Sequence, residues 1–379
     1  MKKFVLILLI TCIFFPMCKQ GPYNGDAIFI DLDKPVRASL FDYFSLIELI
    51  PLETSSDVLI AGIGKLVVHG GRYYALDPTQ SVIFVFAQTG DFIFKLDKKG
   101  RGPGEYQFIS DFDINPFTNN LELLEPDGFV HVFDLSGNFI ETKQITFPGF
   151  RAVHLFVAID SLTHVFHPFS ELKKIIYFNL DSKKLLLEEF EETERLGSFA
   201  SKPLYQFDDK SFFFRPVHPV VYKIGNERIE PIFKFDFGKY AIEGRKAVFS
   251  NDAERNFFIR TEEFFAQFPY LIQTVRHNRR YVFASLSLKN IDDKANVIYD
   301  KTTGESKFIL DFTEQVLFNA FRGEEIIATD EYILMPSQWV DLDKRIKKEM
   351  LDERNKEVFD KLMKAPIELN PVLIKYHFK

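Results

Sequence analysis

The chain is nearly devoid of cysteine. Two occur in 379 residues, Cys12 and Cys18, and none follows. That excludes a disulfide framework and a zinc site built on paired thiolates. Tryptophan occurs once and methionine five times. Basic charge is not in surplus: 47 Lys and Arg stand against 54 Asp and Glu, a formal net charge of −7. A general nucleic-acid binder needs a basic face for phosphates, so no nucleic-acid partner is expected. Composition also excludes a disordered chain and a polytopic membrane protein. No Gly-x-Ser-x-Gly and no helical His-Glu-x-x-His is present. Motif-borne serine hydrolases and zincin-type peptidases are thereby removed.

What is abundant is aromatic: 44 Phe and 14 Tyr. Aromatic side chains suit pleated, half-buried surfaces, so the bias points to β structure. The N-terminus is of another kind. Lys2 and Lys3 precede an apolar run, Phe4 to Met17. The run is shorter than the roughly 20 residues a spanning helix needs. A basic start and a short apolar core read as an export signal over residues 1–17. Cys18 stands just past it, where a bacterial lipoprotein carries its acylated cysteine. A membrane partner, reached through that lipid, and an outer-membrane location facing the periplasm or the surface are expected. Residues 18–43 read as a tether with an early strand near Ala27 to Asp31.

A β-rich run, a turn with Gly, Asn or Asp, and a second β-rich run recur along residues 44–379. Examples are Ile83 to Phe94, Val130 to Ile140 and Ile175 to Leu185. With Phe86, Phe133, Phe178, Lys223, Tyr299 and Tyr376 as anchors, the spacings are 47, 45, 45, 76 and 77. A period of about 40–50 residues is that of a propeller blade of four strands. The two wide gaps equal a blade plus about 30 residues. The expected fold is an all-β, six-bladed β-propeller with four-stranded antiparallel blades and two helical insertions. The sixth copy ends in its third strand, and Ser45 to Leu52 is a strand with no blade of its own. Pairing the two would close the ring and leave no open edge. The insertions carry Leu342, Ile346, Met350, Val358, Phe359 and Leu362 in one segment, and Phe257 to Phe268 in the other, after a possible cap at Ser250. Both patterns have near-helical spacing.

Three motifs carry a resemblance: Ile50-Pro51-Leu52-Glu53-Thr54, Gly100-Arg101-Gly102-Pro103-Gly104-Glu105-Tyr106 and Asn370-Pro371-Val372-Leu373. Together they resemble the six-bladed β-propeller lipoproteins of Bacteroidetes, distantly similar to NHL-repeat propellers. The resemblance implies an envelope location and a propeller shape. It brings no set of catalytic residues.

Candidate residues come with two readings each. Arg101 and Glu105 either present a charged pair at the propeller mouth or lock neighbouring blades around a glycine-rich turn. His167 and His218 each precede a proline, one blade apart, and Arg215 lies close by, suited to a bidentate carboxylate or sulfate contact. His164 and His167, three apart on a strand, point to opposite faces, which argues against a shared metal. Asp111, Asp113, Glu122, Glu125 and Asp127 read as solvated turn residues. Trp339 either stacks on a sugar ring or packs in the core. No metal and no cofactor is expected. The functional expectation is a non-catalytic binding or scaffolding module for a glycan, peptide or partner protein of the envelope. The alternative is an extracellular hydrolase or lyase with its site in the propeller funnel. Replacing Cys18 by Ser is expected to abolish incorporation of radiolabelled palmitate and move the protein from the membrane to the soluble fraction. Unchanged labelling would place the acyl group elsewhere.

Overall fold

The computed structural model describes residues 26–150, 152–168, 175–189, 202–216, 218–242, 260–289, 293–318, 325–365 and 369–379. Residues 1–17, expected as an export signal, Cys18 and residues 250–259 lie outside them. Three strands precede the first blade: β1 (Asp26–Phe29), β2 (Val36–Ala38) and β3 (Phe44–Pro51). Blade 1 is β4 (Lys65–His69), β5 (Arg72–Asp77), β6 (Val82–Ala87) and β7 (Phe92–Leu96). Blade 2 is β8 (Asp111–Asn115), β9 (Asn120–Leu124), β10 (Phe129–Phe133) and β11 (Phe139–Gln144). Blade 3 is β12 (Val153–Ala158), β13 (Thr163–Pro168), β14 (Ile175–Asn179) and β15 (Lys184–Glu189). Blade 4 is β16 (Leu204–Phe207), β17 (Lys210–Arg215), β18 (His218–Ile224) and β19 (Ile229–Asp236). Blade 5 is β20 (Leu271–His277), β21 (Tyr281–Ser287), β22 (Lys294–Asp300) and β23 (Glu305–Phe312). Blade 6 is β24 (Ile327–Ala328), β25 (Tyr332–Ser337) and β26 (Val372–Phe378), completed by β3.

The protein is thus a six-bladed β-propeller. All six sequence anchors fall on the third strand of their blade. That strand has a neighbour on each side and a packed blade above and below, so it reads as an apolar run; in β6 five of six residues are buried. The apolar clusters lie between blades rather than within them. Tyr74, Ile83 and Val85 of blade 1 meet Phe112, Leu121 and Phe133 of blade 2. Phe212, Phe214 and Phe235 of blade 4 meet Leu271, Val282 and Val297 of blade 5. Each blade therefore needs two neighbours to bury both faces.

The ring closes where expected. β3 pairs antiparallel with β26, with Ile50 opposite Leu373 and Ile47 opposite Tyr376. Two of the motifs that carry the family resemblance meet at this seam. The Asn370 side chain donates to the carbonyls of Glu53 (2.6 Å) and Val58 (2.9 Å) and accepts from the Ile60 amide (2.8 Å). The Thr54 hydroxyl accepts from the Asn370 amide at 3.0 Å. Gly90 of blade 1 packs so close that a Cβ there would stand 2.1 Å from the Pro51 carbonyl oxygen.

The segment expected as a tether belongs to the fold over its described residues. β1 adds to blade 4 as a fifth, parallel strand on β19, and β2 does the same on β23 of blade 5. Backbone donors left open at an outer edge are the reason such an addition is stable. The Ser39 side chain accepts from the Phe41 amide (3.0 Å) and donates to the Glu314 carboxylate.

Both insertions carry helix among their described residues, and the second is broken into short pieces. Helix α1 (Glu262–Gln267) is capped by Thr261, whose hydroxyl accepts from the Phe264 amide at 3.2 Å. The second insertion holds α2 (Leu342–Arg345) and α3 (Glu353–Met363), the latter restarted by the Asp352 cap. Leu342, Ile346, Met350, Phe359 and Leu362 are buried as their spacing implies. No helix of the described residues is long and apolar enough to cross a membrane.

Antiparallel pairing gives the ring two unlike faces. Turns between first and second strands, and between third and fourth, are two to five residues long. Both long insertions, 237–270 and 338–371, emerge on the opposite face. Replacing Asn370 by Ala strips partners from several buried groups at the seam. The expected loss is about 2–3 kcal/mol in urea unfolding, and a loss under 0.5 kcal/mol would show that β3 pairing alone closes the ring.

Candidate functional site

Each blade begins at the axis. β4, β8, β12, β16, β20 and β24 are the innermost strands, and they enclose a cavity of about 480 Å³. Five blades send charged side chains to it, Lys65, Asp111 with Asp113, Lys202, Arg276 and Glu325, and blade 3 places His154 close by, within electrostatic reach of Asp111, Lys202 and Lys65. Asp111 and Asp113 share a face because side chains two apart on a strand do so. Lys65 Nζ lies 2.9 Å from Asp111 Oδ1 and 3.7 Å from Asp113 Oδ2. Glu325 receives Arg276 Nη2 at 3.0 Å and the Lys202 ammonium. Lys202 of blade 4 also donates to the Gly64 carbonyl of blade 1, directly across the ring. Arg276 also donates through Nε to the Ile326 carbonyl (2.7 Å) and through Nη1 to the Val275 carbonyl (2.8 Å).

Burial and pairing set the charge states. Burial alone drags the Lys65 ammonium down, but Asp111, Asp113 and Glu325 overcome it and hold its pKa above the ordinary value. Burial raises Glu325, and the two cations beside it more than reverse that, so its carboxyl titrates below the usual range. Lys202 is pulled down by burial, with Glu325 opposing and Lys65 adding to the shift. His154 is also lowered by burial. Asp113 is the exception among the acids. Burial pushes it up to about 6, against Lys65 and with the help of Asp111. Its Oδ2 accepts from the Gln206 side chain at 3.1 Å.

This belt is the floor of the cavity. From it the inner strands run toward the short first-to-second turns, whose Pro116, Asp208, Asp209 and Asp330 also line the cavity. β4 takes four residue steps from Lys65 to His69, about 13 Å at 3.3 Å per residue. The walls between are largely apolar, with aliphatic Val67, Leu155, Val157, Ile327 and Ala328 and aromatic Tyr205, Phe207 and Tyr332.

The residues picked out by sequence lie elsewhere. None of Arg101, Glu105, His167, Arg215, His218 and Trp339 lines the cavity, and Cys18 lies outside the described residues. Glu105 folds back on its own loop, where Oε2 accepts the Gly102 amide at 2.7 Å. A Cβ on Gly100 would overlap that carboxylate at 1.8 Å, and Gly104 has φ +75° against the Phe139 ring. The loop is a self-locked connection from blade 1 to blade 2, and Arg101 is exposed upon it. His167 is buried against the Phe213 ring of blade 4 (6.0 Å), whereas His164 bonds Glu122 of blade 2 at 2.6 Å. The two histidines thus face opposite neighbours, as period 2 requires. Arg215 ends a second strand, one strand removed from the axis, and its side chain bonds the Tyr222 hydroxyl. It pairs in register with His218. Trp339 is half-buried on the core between blades 5 and 6.

The acids of blade 2 require a correction. Asp111, Asp113, Glu122 and Glu125 are buried, and Asp127 alone is the exposed turn residue expected of all five. They sit on or next to inner strands, where each meets a base or a histidine. Glu125 Oε1, for instance, lies 2.7 Å from His131 Nε2. A usable signal existed for the belt. Lys65, Asp111, His154, Lys202 and Arg276 precede their blade anchors by 21, 22, 24, 21 and 23 residues. Among the described residues no group of three His, Cys, Asp or Glu is spaced to hold a metal ion.

Residues 27–377 match the family described as Domain of unknown function (DUF4934), and the chain belongs to that family. No curated protein matches it. Many solved structures share the fold, two of which serve for comparison. A protein of Bacteroides fragilis NCTC 9343 named as exported superposes with a TM-score of 0.69 at 17% identity, over 93% of this chain and 99% of its own. A member of the DUF4221 family from Bacteroides vulgatus ATCC 8482 gives 0.54 at 10% identity, over 89% and 97%.

Two outcomes follow from the belt. Glu325→Gln leaves Lys202 and Arg276 buried without their counter-charge, and should cost about 3–5 kcal/mol in chemical unfolding. Asp113 binds its proton more tightly folded than unfolded. Its contribution to stability is therefore full below about pH 4 and is lost as pH rises through about 6. Asp113→Asn should flatten that part of the melting temperature profile between pH 4 and pH 7; an unchanged profile would assign the titration to another group.

Proposed function

We propose that this member of the DUF4934 family is an exported binding module of the cell envelope, lipid-anchored through Cys18, with the central cavity as its ligand site. One observation carries the reading. The cavity is floored by a belt in which Lys65, Lys202 and Arg276 each hold a carboxylate or carbonyl already. Groups committed this way shape and polarise a pocket, but they do not shuttle protons. Apolar walls above a polar floor are the usual composition of a ligand pocket. Lys2, Lys3, the apolar run to Met17 and the cysteine that follows support export and acylation. The likeness to lipoprotein propellers with NHL-like repeats points the same way, as does the name of the Bacteroides fragilis structure. The ligand is a glycan, a peptide or a segment of a partner protein of the envelope.

A second reading, a hydrolase or lyase, has one observation in its favour. Asp113 is raised to about 6 inside the cavity, within reach of proton exchange near neutrality. Against it, Asp111 and Asp113 project from the same strand and share Lys65, rather than flanking a substrate from two sides.

A thermal-shift screen with envelope glycans and peptides separates these readings. A ligand is expected to raise the midpoint of the native protein by mass action. It should not raise that of Ala158→Phe, which fills part of the cavity wall. Equal shifts in both would move the site out of the channel, and turnover of a bound ligand lost in Asp113→Asn would favour the enzyme.

A further inference from the structure

We infer that the cavity takes a cationic arm: an ammonium or guanidinium on an aliphatic stem, entering from the face of short turns. This rests on the reading of the cavity as the ligand site and adds the chemistry of the ligand. The charge balance changes along the channel. On the floor three cations meet three carboxylates. Toward the mouth come three carboxylates, Asp208, Asp209 and Asp330, against two cations: Arg279 lies 3.2 Å from Asp208 and 2.6 Å from Asp330, and Lys210 lies 3.4 Å from Asp208. Asp209 is exposed and has no partner among the described residues. A low-dielectric cleft with such a rim focuses negative potential on whatever enters.

Within the belt the imbalance has an address. Asp111 takes the short contact with Lys65, and Asp113 has the 3.7 Å one, with neutral donors on both oxygens: the Gln206 side chain on Oδ2 at 3.1 Å and the Ile114 amide on Oδ1 at 2.8 Å. Asp113 also stands two residues farther along β8, about 7 Å nearer the mouth. Burial raises this carboxyl to about 6, so it is ionised and able to meet a cation at neutral pH. Between Asp113 and the rim the walls include Val67, Val157, Ile327 and Ala328. Methylene stems of basic groups pack on such surfaces while the charged head reaches a polar partner. The arrangement suits a basic side chain of a peptide, a polyamine or an amino sugar, which share that chemistry.

Calorimetric titration of the purified protein tests it. The probes are N-acetyl-lysine amide, its neutral isostere N-acetyl-norleucine amide, N-acetyl-glutamate amide, spermidine and glucosamine. At least one cationic probe is expected to bind about tenfold or more tighter than the neutral isostere, a difference near 1.4 kcal/mol. Which one binds best identifies the source of the charge. Asp209→Asn with Asp330→Asn, and separately Asp113→Asn, should erase that preference. Asp209 has φ +55°, which Asn tolerates as well as Asp, so the rim variant keeps its fold. Equal or tighter binding of the neutral or acidic probe would overturn the inference while leaving the cavity as a ligand site. A preference retained in all the Asn variants would also overturn it. If no probe of any charge bound, the inference would fall together with the cavity reading.

Discussion

The pairing of β3 with β26 is the constraint on which everything else rests. A blade of four strands has two apolar faces and cannot bury both without a neighbour on each side. Five interfaces form by sequence order; the sixth, between blade 6 and blade 1, requires the chain to return to its beginning. β3 supplies that return by occupying the outer position of blade 6, so one covalent segment belongs to both ends of the ring. Asn370 then ties β26 to the loop after β3 through its side-chain amide and oxygen. The upstream strands β1 and β2 extend the same logic, covering the edges of blades 4 and 5 before the chain reaches blade 6.

The axial belt depends on that closure. Its charged members come from five of the six blades, and Lys202 reaches across the ring to the Gly64 carbonyl. Buried ions are costly to desolvate, so such a belt is tolerable only when each charge finds its partner. The partners lie on different blades, which makes the ion pairs sensitive to the angle between blades rather than to any one sheet. A channel filled with aliphatic side chains would have closed the ring equally well. The polar floor with an open apolar space above it is what distinguishes this axis as a site. Its mouth lies among the short first-to-second turns, on the face opposite to the one where the two long insertions leave the blades.

The motifs most visible in the sequence turned out to be structural fittings. Gly100 and Gly104 are glycines because a Cβ would strike Glu105 or Phe139. Ile50 to Thr54 and Asn370 to Leu373 are the two halves of the seam. Their visibility has a common cause: tight backbone turns and close approaches restrict residue type locally. The belt residues are different. Lys65, Asp111 and Arg276 are ordinary charged residues within ordinary strands, and nothing adjacent to them signals burial. Asp111 and Asp113 in particular look like solvated acids beside Glu122 and Glu125. Only the distance to the blade anchor, a nearly constant 21 to 24 residues in the first five blades, sets the belt residues apart.

The sequence by itself determined the number of blades, the third-strand register, the two insertions and the strand that closes the ring. These follow from short-range periodicity, because a doubly buried strand must be apolar and a hairpin must carry residues that turn. Only the tertiary structure decided which charges meet. Lys65 and Glu325 are 260 residues apart along the chain, and Lys202 and Gly64 are 138 apart, yet each pair shares one end of the same channel. The physical reason is that Coulomb attraction and burial depend on distance in space. A closed ring brings six inner strands together around one axis, and the separation of two charges along the chain does not say which of them will meet.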